Sequence, residues 1–324
     1  MKKILGVGNA LVDVIVQVDD ESVFDKFALK KGGMEMIDAE TKRIIHSAIA
    51  DLEQKVASGG ATSNTMHGLA HLGAEVGYIG KISKDHFGDF FENDLRRSNI
   101  RPHLVYSDID TGIATTFITN DAERTFATYL GAASELTTDD IDEDVLDDYD
   151  LIYIEGYLIY NHELILKICQ IAKAHGLLIA MDMASYNLME EHRDFMFRLM
   201  EDYVDMIFGN ELEVKALTQT NEEEAIEIMS RYCPVSIVKL GSKGSIVKVN
   251  GYKAFVNPEP SVCVDTNGLG DIYASGFIFG LLNGYTPERS GYIASYLAAR
   301  LSETVGAKLS DVQWQEINNE LFNR

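Results

Sequence analysis

The sequence predicts an α/β protein, with a three-layer α/β/α core around a mainly parallel sheet and a small β-sheet lid. Short apolar runs alternate with amphipathic segments of helical length through most of the chain, which is typical of a parallel sheet covered on both faces. Two regions, 11–37 and 111–130, instead alternate apolar and polar residues, as half-exposed strands do. The uncharged stretch from Ile272 to Leu282 predicts a helix buried on all sides.

The elements can be assigned in chain order. The apolar runs predict strands at 4–8, 76–80, 151–158, 177–184 and 205–210. Helices are predicted between them at 41–54, 61–72, 87–99, 161–175 and 191–202. Two further β elements are expected, a hairpin in "SIVKLGSKGSIVKV" and a strand in "SVCVD" that leads into the buried helix. We therefore assign the core to 1–10, 38–110 and 131–324, and a discontinuous lid to 11–37 and 111–130.

The composition limits the class of function. The chain has 324 residues, 46% apolar and 24% charged, which is ordinary for a globular protein. Its net charge of −23 disfavours nucleic acid and anionic membranes as partners, yet permits a small anion held by local donors. Asp13 interrupts the N-terminal apolar stretch and no cleavage site follows, so we expect no signal peptide and a cytoplasmic location. The scattered cysteines predict reduced core thiols at Cys169, Cys233 and Cys263.

The stretch "DTNGLGDIYASGF" (265–277) predicts an anion-binding turn at the mouth of the buried helix. Gly268 and Gly270 let the backbone approach a ligand and adopt positive φ, while the helix N-terminus presents N–H donors. Asp271 lies within one turn of the positive helix end, which we expect to keep its carboxylate ionised. An ionised carboxylate beside an anion site suits phosphoryl transfer to an alcohol. An aspartate N-cap after a glycine turn explains the same residues equally well.

A second glycine-bearing stretch, "SGGATSNTMHGLAHLG" (58–73), predicts a polar helix entrance. Gly59 and Gly60 open the helix and Asn64 lies on its first turn, an arrangement that suits vicinal hydroxyl groups. Taken alone, a glycine turn beside a polar surface residue is the slightly better interpretation. Asp13 is a lone carboxylate in an apolar strand and can accept hydrogen bonds from two hydroxyls. Because an unpaired buried carboxylate is costly, a ligand or cation should face it.

Two patterns suggest chemistry that their neighbours do not support. His67 and His71 have the i, i+4 spacing of a zinc pair, but Gly68 stands where a zincin carries glutamate, and no third ligand is apparent. "GVGNAL" (6–11) begins like a dinucleotide-binding fingerprint, but Leu11 replaces the third glycine. That departure argues against an NAD(P)-dependent oxidoreductase.

The stretch "FGNELEV" (208–214) places Asn210 and Glu213 three residues apart on one helical turn. The pair could orient water around a magnesium ion bound to phosphates. Asparagine followed three residues later by glutamate is also the pattern of a capping box. By itself, the capping box is the better interpretation.

Taken together and in this order, these stretches resemble the ribokinase/adenosine kinase family, the PfkB-type carbohydrate kinases, along the whole chain. "DTNGLGD" resembles the family's DTxGAGD signature, "NELE" its NxxE motif, and "KLGSKG" its nucleotide-binding hairpin. The resemblance implies a ribokinase-like fold with Asp271 as the catalytic base and an anion hole at Gly268, Leu269 and Gly270. The substrate-binding residues it implies are Asp13, Gly59, Gly60, Asn64 and Glu155. ATP would be bound by Asn210, Lys239, Gly241, Gly244 and Asn267, with Glu213 holding Mg²⁺ through water.

Within the family, the adenosine-kinase branch is the nearest likeness, on Asn267 in "DTN" and on "GNALVDV", "MIDAE", "ERTFATYLGA" and "EGYL". Three departures bear on the site. Leu269 replaces the usual alanine of the anion hole. Animal adenosine kinases clamp the purine between phenylalanines where this chain has Leu158 and Asn187. Glu155 stands where ribokinases carry a sugar-binding glutamate. The resemblance therefore implies phosphoryl transfer and leaves the base specificity open.

The expected function is ATP-dependent phosphorylation of a primary hydroxyl on a ribose-containing small molecule, adenosine first, with Mg²⁺; a dependence on K⁺ stays open. A sugar kinase of the ribokinase or fructokinase type is the alternative. A catalytically inactive sugar-binding protein is disfavoured because Asp271 is present. Arg124 either swings over the phosphates when the lid closes or forms a surface ion pair with Glu123 or Asp121. We expect no nucleic-acid or membrane partner, and either a monomer or a lid-mediated homodimer.

Overall fold

The structure is a computed structural model that describes residues 2–19, 22–121 and 123–322. Within these residues the strands form a nine-stranded sheet and a five-stranded sheet. The strands are β1 (Lys3–Val7), β2 (Leu11–Gln17), β3 (Met34–Met36), β4 (Gln54–Gly59), β5 (Glu75–Ser83), β6 (Ile100–Ser107), β7 (Gly112–Ile118), β8 (Arg124–Tyr129), β9 (Leu151–Ile154), β10 (Leu178–Asp182), β11 (Met206–Asn210), β12 (Val235–Lys239), β13 (Ser245–Val249) and β14 (Tyr252–Val256).

The α-helices connect these strands. They are α1 (Ser22–Lys26), α2 (Ala39–Ala48), α3 (Ala61–His71), α4 (His86–Arg97), α5 (Glu143–Leu146), α6 (His162–Ala174), α7 (Tyr186–Glu191), α8 (Arg193–Asp202), α9 (Glu211–Thr218), α10 (Glu222–Met229), α11 (Leu269–Leu282), α12 (Pro287–Ser302) and α13 (Asp311–Phe322).

The large sheet has the order β14-β13-β12-β11-β10-β9-β1-β5-β6. It is parallel from β12 to β6, and the antiparallel β12–β13 pair confirms the predicted hairpin. One apolar cluster packs α6, α8, α9 and α10 on one face, and a second packs α3, α11, α12 and α13 on the other. Since adjacent β1 residues Ile4 and Leu5 belong to opposite clusters, the sheet is covered on both sides. The predicted three-layer α/β/α core is confirmed.

The small sheet has the order β3-β8-β7-β2-β4 and lies over the carboxyl edge of the large one. A third apolar cluster joins it to α1 and α2, through Val14, Phe117, Phe24 and Ile45. Residues 54–59 fall in the range assigned to the core, 38–110, but they form strand β4, which pairs antiparallel with β2, from Leu11 opposite Gly59 to Val16 opposite Gln54. The helix predicted at 41–54 is shorter than expected. It ends at Ala48, and residue 54 is already the first residue of β4.

The predicted buried helix is confirmed as α11, in which Ile272 to Gly280 are buried. The strand predicted at 261–265 is wrong. Val262 and Val264 are exposed, and the N–H groups of Val264 and Asp265 bond the carbonyl of Ser302 at the end of α12. The strand predicted at 151–158 ends at Ile154, before a 3₁₀ turn at Gly156–Tyr160. None of the helices in the described part of the chain combines the length and the apolar composition that a membrane crossing requires.

Candidate active site

Polar residues meet where neighbouring parallel strands end. The carboxyl ends of parallel strands share one edge of a sheet, which is where open α/β sheets bind ligands. In the present sheet β12, β11, β10, β9 and β1 are successive neighbours. The polar residues at or within two positions after their ends are Lys239, Asn210, Asp182, Glu155 and Asn9.

The first turn of α11 faces this edge, and its geometry depends on glycine. Gly268 is the N-cap residue with φ +71°, in the left-handed region that favours glycine. A Cβ on it would lie 2.7 Å from the Cβ of Ala307. A Cβ on Gly270 would lie 2.9 Å from Lys239 Nζ. The turn therefore brings backbone N–H groups, which have no acceptor within the helix, next to a lysine ammonium.

Two cavities lie on either side of this turn. The lid-side cavity, about 440 Å³, is lined by Asp13, Asn64 and Asp271 and by apolar residues of the small sheet. The hairpin-side cavity, about 420 Å³, is lined by Lys239, Gly241, Gly244, Leu269 and Gly270 among others. Asp271 thus faces one cavity while the preceding glycine faces the other. The two cavities therefore lie on opposite sides of one helix N-terminus.

Asp271 carries a pKa raised by burial to about 7, despite the hydrogen bond that Asn64 Nδ2 donates to its Oδ2 at 2.9 Å. The nearby carboxylates of Asp182 and Asp13 also raise it, and Lys239 opposes them. The expectation that the positive helix end keeps Asp271 ionised is therefore corrected, because burial raises the pKa of this carboxyl to about 7. Asn64 Oδ1 is buried and has no partner among the described residues, so it is available to a ligand donor.

Asp13 lies beside the glycine pair with which it was predicted to act. A Cβ on Gly59 would collide with the Asp13 carboxylate, and one on Gly60 would collide with the carbonyl oxygen of Asn9. Gly60 has φ +88° and is the N-cap of α3. Burial raises the pKa of Asp13 to about 6, opposed by the charges of Lys308 and Arg124. Glycine at 59 is thus required for the carboxylate to fit against the turn, and glycine at 60 for the turn to fit against the Asn9 carbonyl.

Glu155 lines the lid-side cavity, but its carboxylate is already held by the protein. Oε1 accepts from Asn9 Nδ2 at 2.5 Å and Oε2 from the Thr62 N–H at 3.3 Å. Burial raises its pKa to about 8, and the nearby Asp182 adds to that rise. The carboxylate therefore links the segment after β1 to the start of α3. This structural role is separate from any contact with substrate.

Asn210 and Glu213 form the capping box of α9. Asn210 Nδ2 and its backbone N–H donate to the two carboxylate oxygens of Glu213 at 2.6 and 2.8 Å, and Glu213 N–H donates back to Asn210 Oδ1 at 3.0 Å. Burial raises the pKa values of Glu213 and Asp182, and the charge of Lys239 opposes both shifts. Asn210 lines the hairpin-side cavity, whereas neither carboxylate is among its lining residues, so a hydrated cation in that cavity would meet them only through water.

Arg124, at the start of β8 in the small sheet, reaches the loop before α11. Its Nη2 lies 2.5 Å from Asp265 Oδ2, in a largely buried ion pair. The surface pair with Glu123 or Asp121 is therefore wrong, since Lys31 pairs with Asp121 instead. Arg124 Nη1 is buried without a partner in the described residues.

Two further expectations, for Asn267 and for Cys263, differ from the structure. Asn267 lines the lid-side cavity and is absent from the hairpin-side lining, contrary to its expected place with the nucleotide. His67 has Lys308 Nζ 2.8 Å from its Nε2, and no metal-binding cluster of three residues occurs in the described residues. Cys263 is exposed and lines the hairpin-side cavity, whereas Cys169 and Cys233 are buried as expected.

Sequence reasoning missed Asn9, Asp182, Asp265 and Lys308. Asp182 ends the apolar run "LLIAMD", so a charged residue at a strand end was a usable signal. Asp265 accepts from Arg124, from Gly306 N–H at 2.6 Å and from Asn267 N–H at 3.1 Å. Its role and that of Lys308 depend on contacts between distant segments, for which the local sequence has no signal.

An open α/β sheet with a carboxylate at a glycine-capped helix N-terminus, between two cavities, defines a small-molecule kinase. The chain belongs to the pfkB family of carbohydrate kinases, whose family model matches residues 34–314. It is 30% identical to the adenosine kinase of Saccharomyces cerevisiae over 323 residues, covering 92% of this chain and 94% of the yeast protein. Family membership implies ATP as the donor, typically with Mg²⁺.

Solved structures of both nucleoside and sugar kinases resemble the fold. The adenosine kinase from Sinorhizobium meliloti matches with a TM-score of 0.88 and 30% identity, covering 98% of this chain and 99% of that one. A probable sugar kinase from Rhizobium etli CFN 42 matches with a TM-score of 0.89 and 30% identity, covering 99% of both chains. The fold and the kinase class are therefore the same in both neighbours, whereas the substrates their names give differ.

Proposed function

We propose that this chain transfers the γ-phosphoryl group of ATP to the primary hydroxyl of a ribose-containing substrate, adenosine first. The position of Asp271 carries the proposal. Its carboxylate faces the lid-side cavity, and the Gly268–Gly270 turn separates that cavity from the hairpin-side one. A substrate hydroxyl beside Asp271 and a phosphate at the turn are then on opposite sides of the same helix end, as in-line transfer requires.

Each residue then has a chemical role. Asp271 accepts the hydroxyl proton, and Asn64 orients its carboxylate through the bond to Oδ2. Lys239 and the first-turn N–H groups stabilise charge on the transferred group. Mg²⁺, when bound with the nucleotide, would neutralise part of the phosphate charge. Glu213, buried behind Asn210, is the residue that would hold it through water.

The lid-side cavity favours a nucleoside over a free sugar. Apart from a set of polar residues that includes Asp13, Asn64 and Asp271, its lining is largely apolar and includes Met34 and Met36 from the small sheet and Leu158. A free pentose would leave this region in contact with water, whereas a purine would cover it. Glu155, the residue that favoured a sugar, already has a protein donor on each carboxylate oxygen. A sugar kinase remains the second candidate, because a sugar-kinase structure matches the fold as well.

An ADP-release assay across adenosine, inosine, guanosine, ribose and fructose tests the proposal. We expect adenosine to have the highest kcat/KM and the free sugars to be at least about tenfold poorer, because they leave the apolar region uncovered. Efficient turnover of ribose or fructose with no turnover of nucleosides would transfer the assignment to the sugar-kinase type.

The 2′-hydroxyl tests the role of Asp13. Asp13 has no hydrogen-bond partner among the described residues, so a ribose diol would supply the two donors that its carboxylate can accept. We expect 2′-deoxyadenosine to be at least about tenfold worse than adenosine, and Asp13→Ala to erase most of that difference. Equal kcat/KM values for the two nucleosides in the wild-type protein would contradict the role of Asp13.

A further inference from the structure

Lys308 joins four separate segments of the chain behind the site. Its Nζ lies 2.8 Å from Asp94 Oδ2 on α4 and 2.8 Å from His67 Nε2 on α3. It also donates to Ser58 Oγ on β4, and Ser58 in turn donates to Asp94. Ser58 and His67 are buried, and the Lys308 side chain is 23% exposed. The phosphoryl transfer described above makes no use of this ammonium group.

Ser58 immediately precedes the Gly59–Gly60 turn. That turn fits tightly, because a Cβ on either glycine would collide with Asp13 or with the Asn9 carbonyl. A shift of Ser58 would therefore move backbone atoms that lie directly against the Asp13 carboxylate. The bond from Lys308 is a contact that fixes the position of the turn.

The residues before Lys308 contact the opposite wall of the site. The Gly306 N–H donates to Asp265 Oδ2 at 2.6 Å, and Ala307 packs against Gly268, the N-cap of α11. The three consecutive residues 306–308 thus touch the loop before α11, its N-cap and the strand that carries the Gly59–Gly60 turn. Residues 306–308 therefore connect the wall that carries the Gly59–Gly60 turn with the wall formed by the first turn of α11.

We propose that Lys308 is a positioning residue that holds the Gly59–Gly60 turn at a fixed distance from the first turn of α11 and places a positive charge behind Asp13. The second part rests on the proposed function, in which Asp13 binds the substrate. Lys308 acts through Ser58 and through its field, and it does not touch the reacting atoms.

The charges around Asp13 agree with this role. Three charged groups act on it: Lys308, Arg124 of β8 and Asp271 of α11. Lys308 and Arg124 lower the pKa of Asp13 against the effect of burial. Burial lowers the pKa of His67 to about 4, so His67 is neutral, and Asp94 balances the lysine charge at 2.8 Å. Removing the ammonium would raise the pKa of Asp13 and keep it protonated to higher pH.

The test compares Lys308→Met with Lys167→Met. Lys167 is an exposed lysine on α6 that pairs with Glu143 of α5. We expect the acceptor KM of Lys308→Met to rise about tenfold at pH 7, with kcat and the ATP KM within about threefold of wild type. The pH at which acceptor binding is lost should move upward, and Lys308→Arg should restore much of the affinity. Lys167→Met should match wild type in all of these values.

Hydrogen exchange on the ligand-free protein tests the positioning without any activity. Amides of 54–60 should exchange at least about fivefold faster in Lys308→Met, while those of β9 and β10 stay unchanged. Ser58→Ala should give the same local change, and it replaces Lys308→Met if that variant does not fold. If 54–60 exchange as in wild type, or the ATP KM rises as much as the acceptor KM, the proposal is overturned. If wild-type protein phosphorylates no acceptor, the proposed function fails and the exchange result alone decides the positioning.

Discussion

The Asp271 carboxylate combines a hydrogen bond from Asn64 with a raised pKa of about 7, a consequence of burial and of nearby acidic groups. A base with a pKa close to the working pH is efficient, because it is substantially deprotonated and still accepts a proton readily. Since only the ionised form can accept the hydroxyl proton, kcat/KM should rise with pH through about 7 and level off above it.

Asp271→Asn removes the proton acceptor and keeps the side-chain shape. We expect turnover to fall by about 10² or more with little change in the ATP KM, because the nucleotide lies in the other cavity. Steady-state kinetics on the best acceptor would measure both. Asp311→Asn, a charge removal at an exposed residue of α13, should leave turnover unchanged. Near-wild-type turnover in Asp271→Asn would exclude Asp271 as the base.

The predicted side chains of the site could be found from short local patterns, since Asp13, Gly59–Gly60, Asn64 and Asp271 do gather at one cavity. Their protonation could not, because it depends on burial and on neighbours far away in sequence. Glu155 shows the same limit. The sequence shows that Glu155 stands where ribokinases carry a sugar-binding glutamate. Its hydrogen bonds with Asn9 and Thr62 involve two other segments, which the local pattern does not reveal.

The N-terminus of α11 is an element whose geometry depends on one backbone conformation. Gly268 has φ +71° and packs on Ala307, which belongs to the segment that contacts Asp265. Asp265 also receives Arg124 from the small sheet. These contacts therefore link the cap of α11 to the segment at 306–308 and, through Asp265 and Arg124, to the small sheet. A substitution at the cap should therefore change kcat as well as the free energy of unfolding.

Gly268→Ala tests that connection, with Gly284→Ala as a matched control at the other end of α11. Both glycines have positive φ, +71° and +78°, but a Cβ meets Ala307 only at 268 and open space at 284. Gly284→Ala should destabilise folding by about 1–2 kcal/mol from backbone strain, and Gly268→Ala by more, because its Cβ also meets Ala307. Only Gly268→Ala should also lower kcat, by at least about tenfold, because the N–H groups of the turn are displaced. Denaturant unfolding and steady-state kinetics measure the two effects; equal kcat values in the two variants would contradict the connection.

At the same scale, the sequence predicted elements well where their neighbours in space are also neighbours in the chain. The hairpin β12–β13 and the helix α11 are examples. Strand β4 was missed because its partner β2 lies about forty residues earlier, and its exposed residues lack a strong apolar alternation. The apolar run in "SVCVD" suggested a strand, but among the described residues no strand pairs with it, and its backbone N–H groups bond the end of α12 instead.

The whole molecule carries a net charge of −23 and buries several acidic groups at one edge of its sheet. Burial raises the pKa of Asp271 to about 7 and that of Glu155 to about 8, above their unfolded values. The folded state then binds more protons than the unfolded state, so stability falls as pH rises through these values. The pKa of His67, lowered by burial to about 4, acts in the opposite direction only below about pH 6.5.

Between pH 6.5 and 8 the pH dependence of stability is therefore set by the carboxyl groups of Asp271 and Glu155. We expect the Tm of the ligand-free protein to fall by roughly 2–5 °C over this interval, as measured by thermal unfolding at constant ionic strength. Glu155→Gln should flatten this dependence, because it removes the group that titrates last. A Tm that rises across the same interval would show that these groups are not buried as described.

The small sheet is assembled from two separate pieces of chain, one that contains β2, β3 and β4 and one that contains β7 and β8. Between these two pieces run α3, β5, α4 and β6, which belong to the large sheet and the helices packed around it, so no single cut in the gene excises the cover of the substrate cavity. Exchange of one contiguous block between relatives would give a hybrid sheet with mismatched strands. Divergence of acceptor preference in such a lineage should therefore proceed by point substitutions at cavity-facing positions such as Met34, Met36 and Leu158, accumulated one at a time on an intact scaffold.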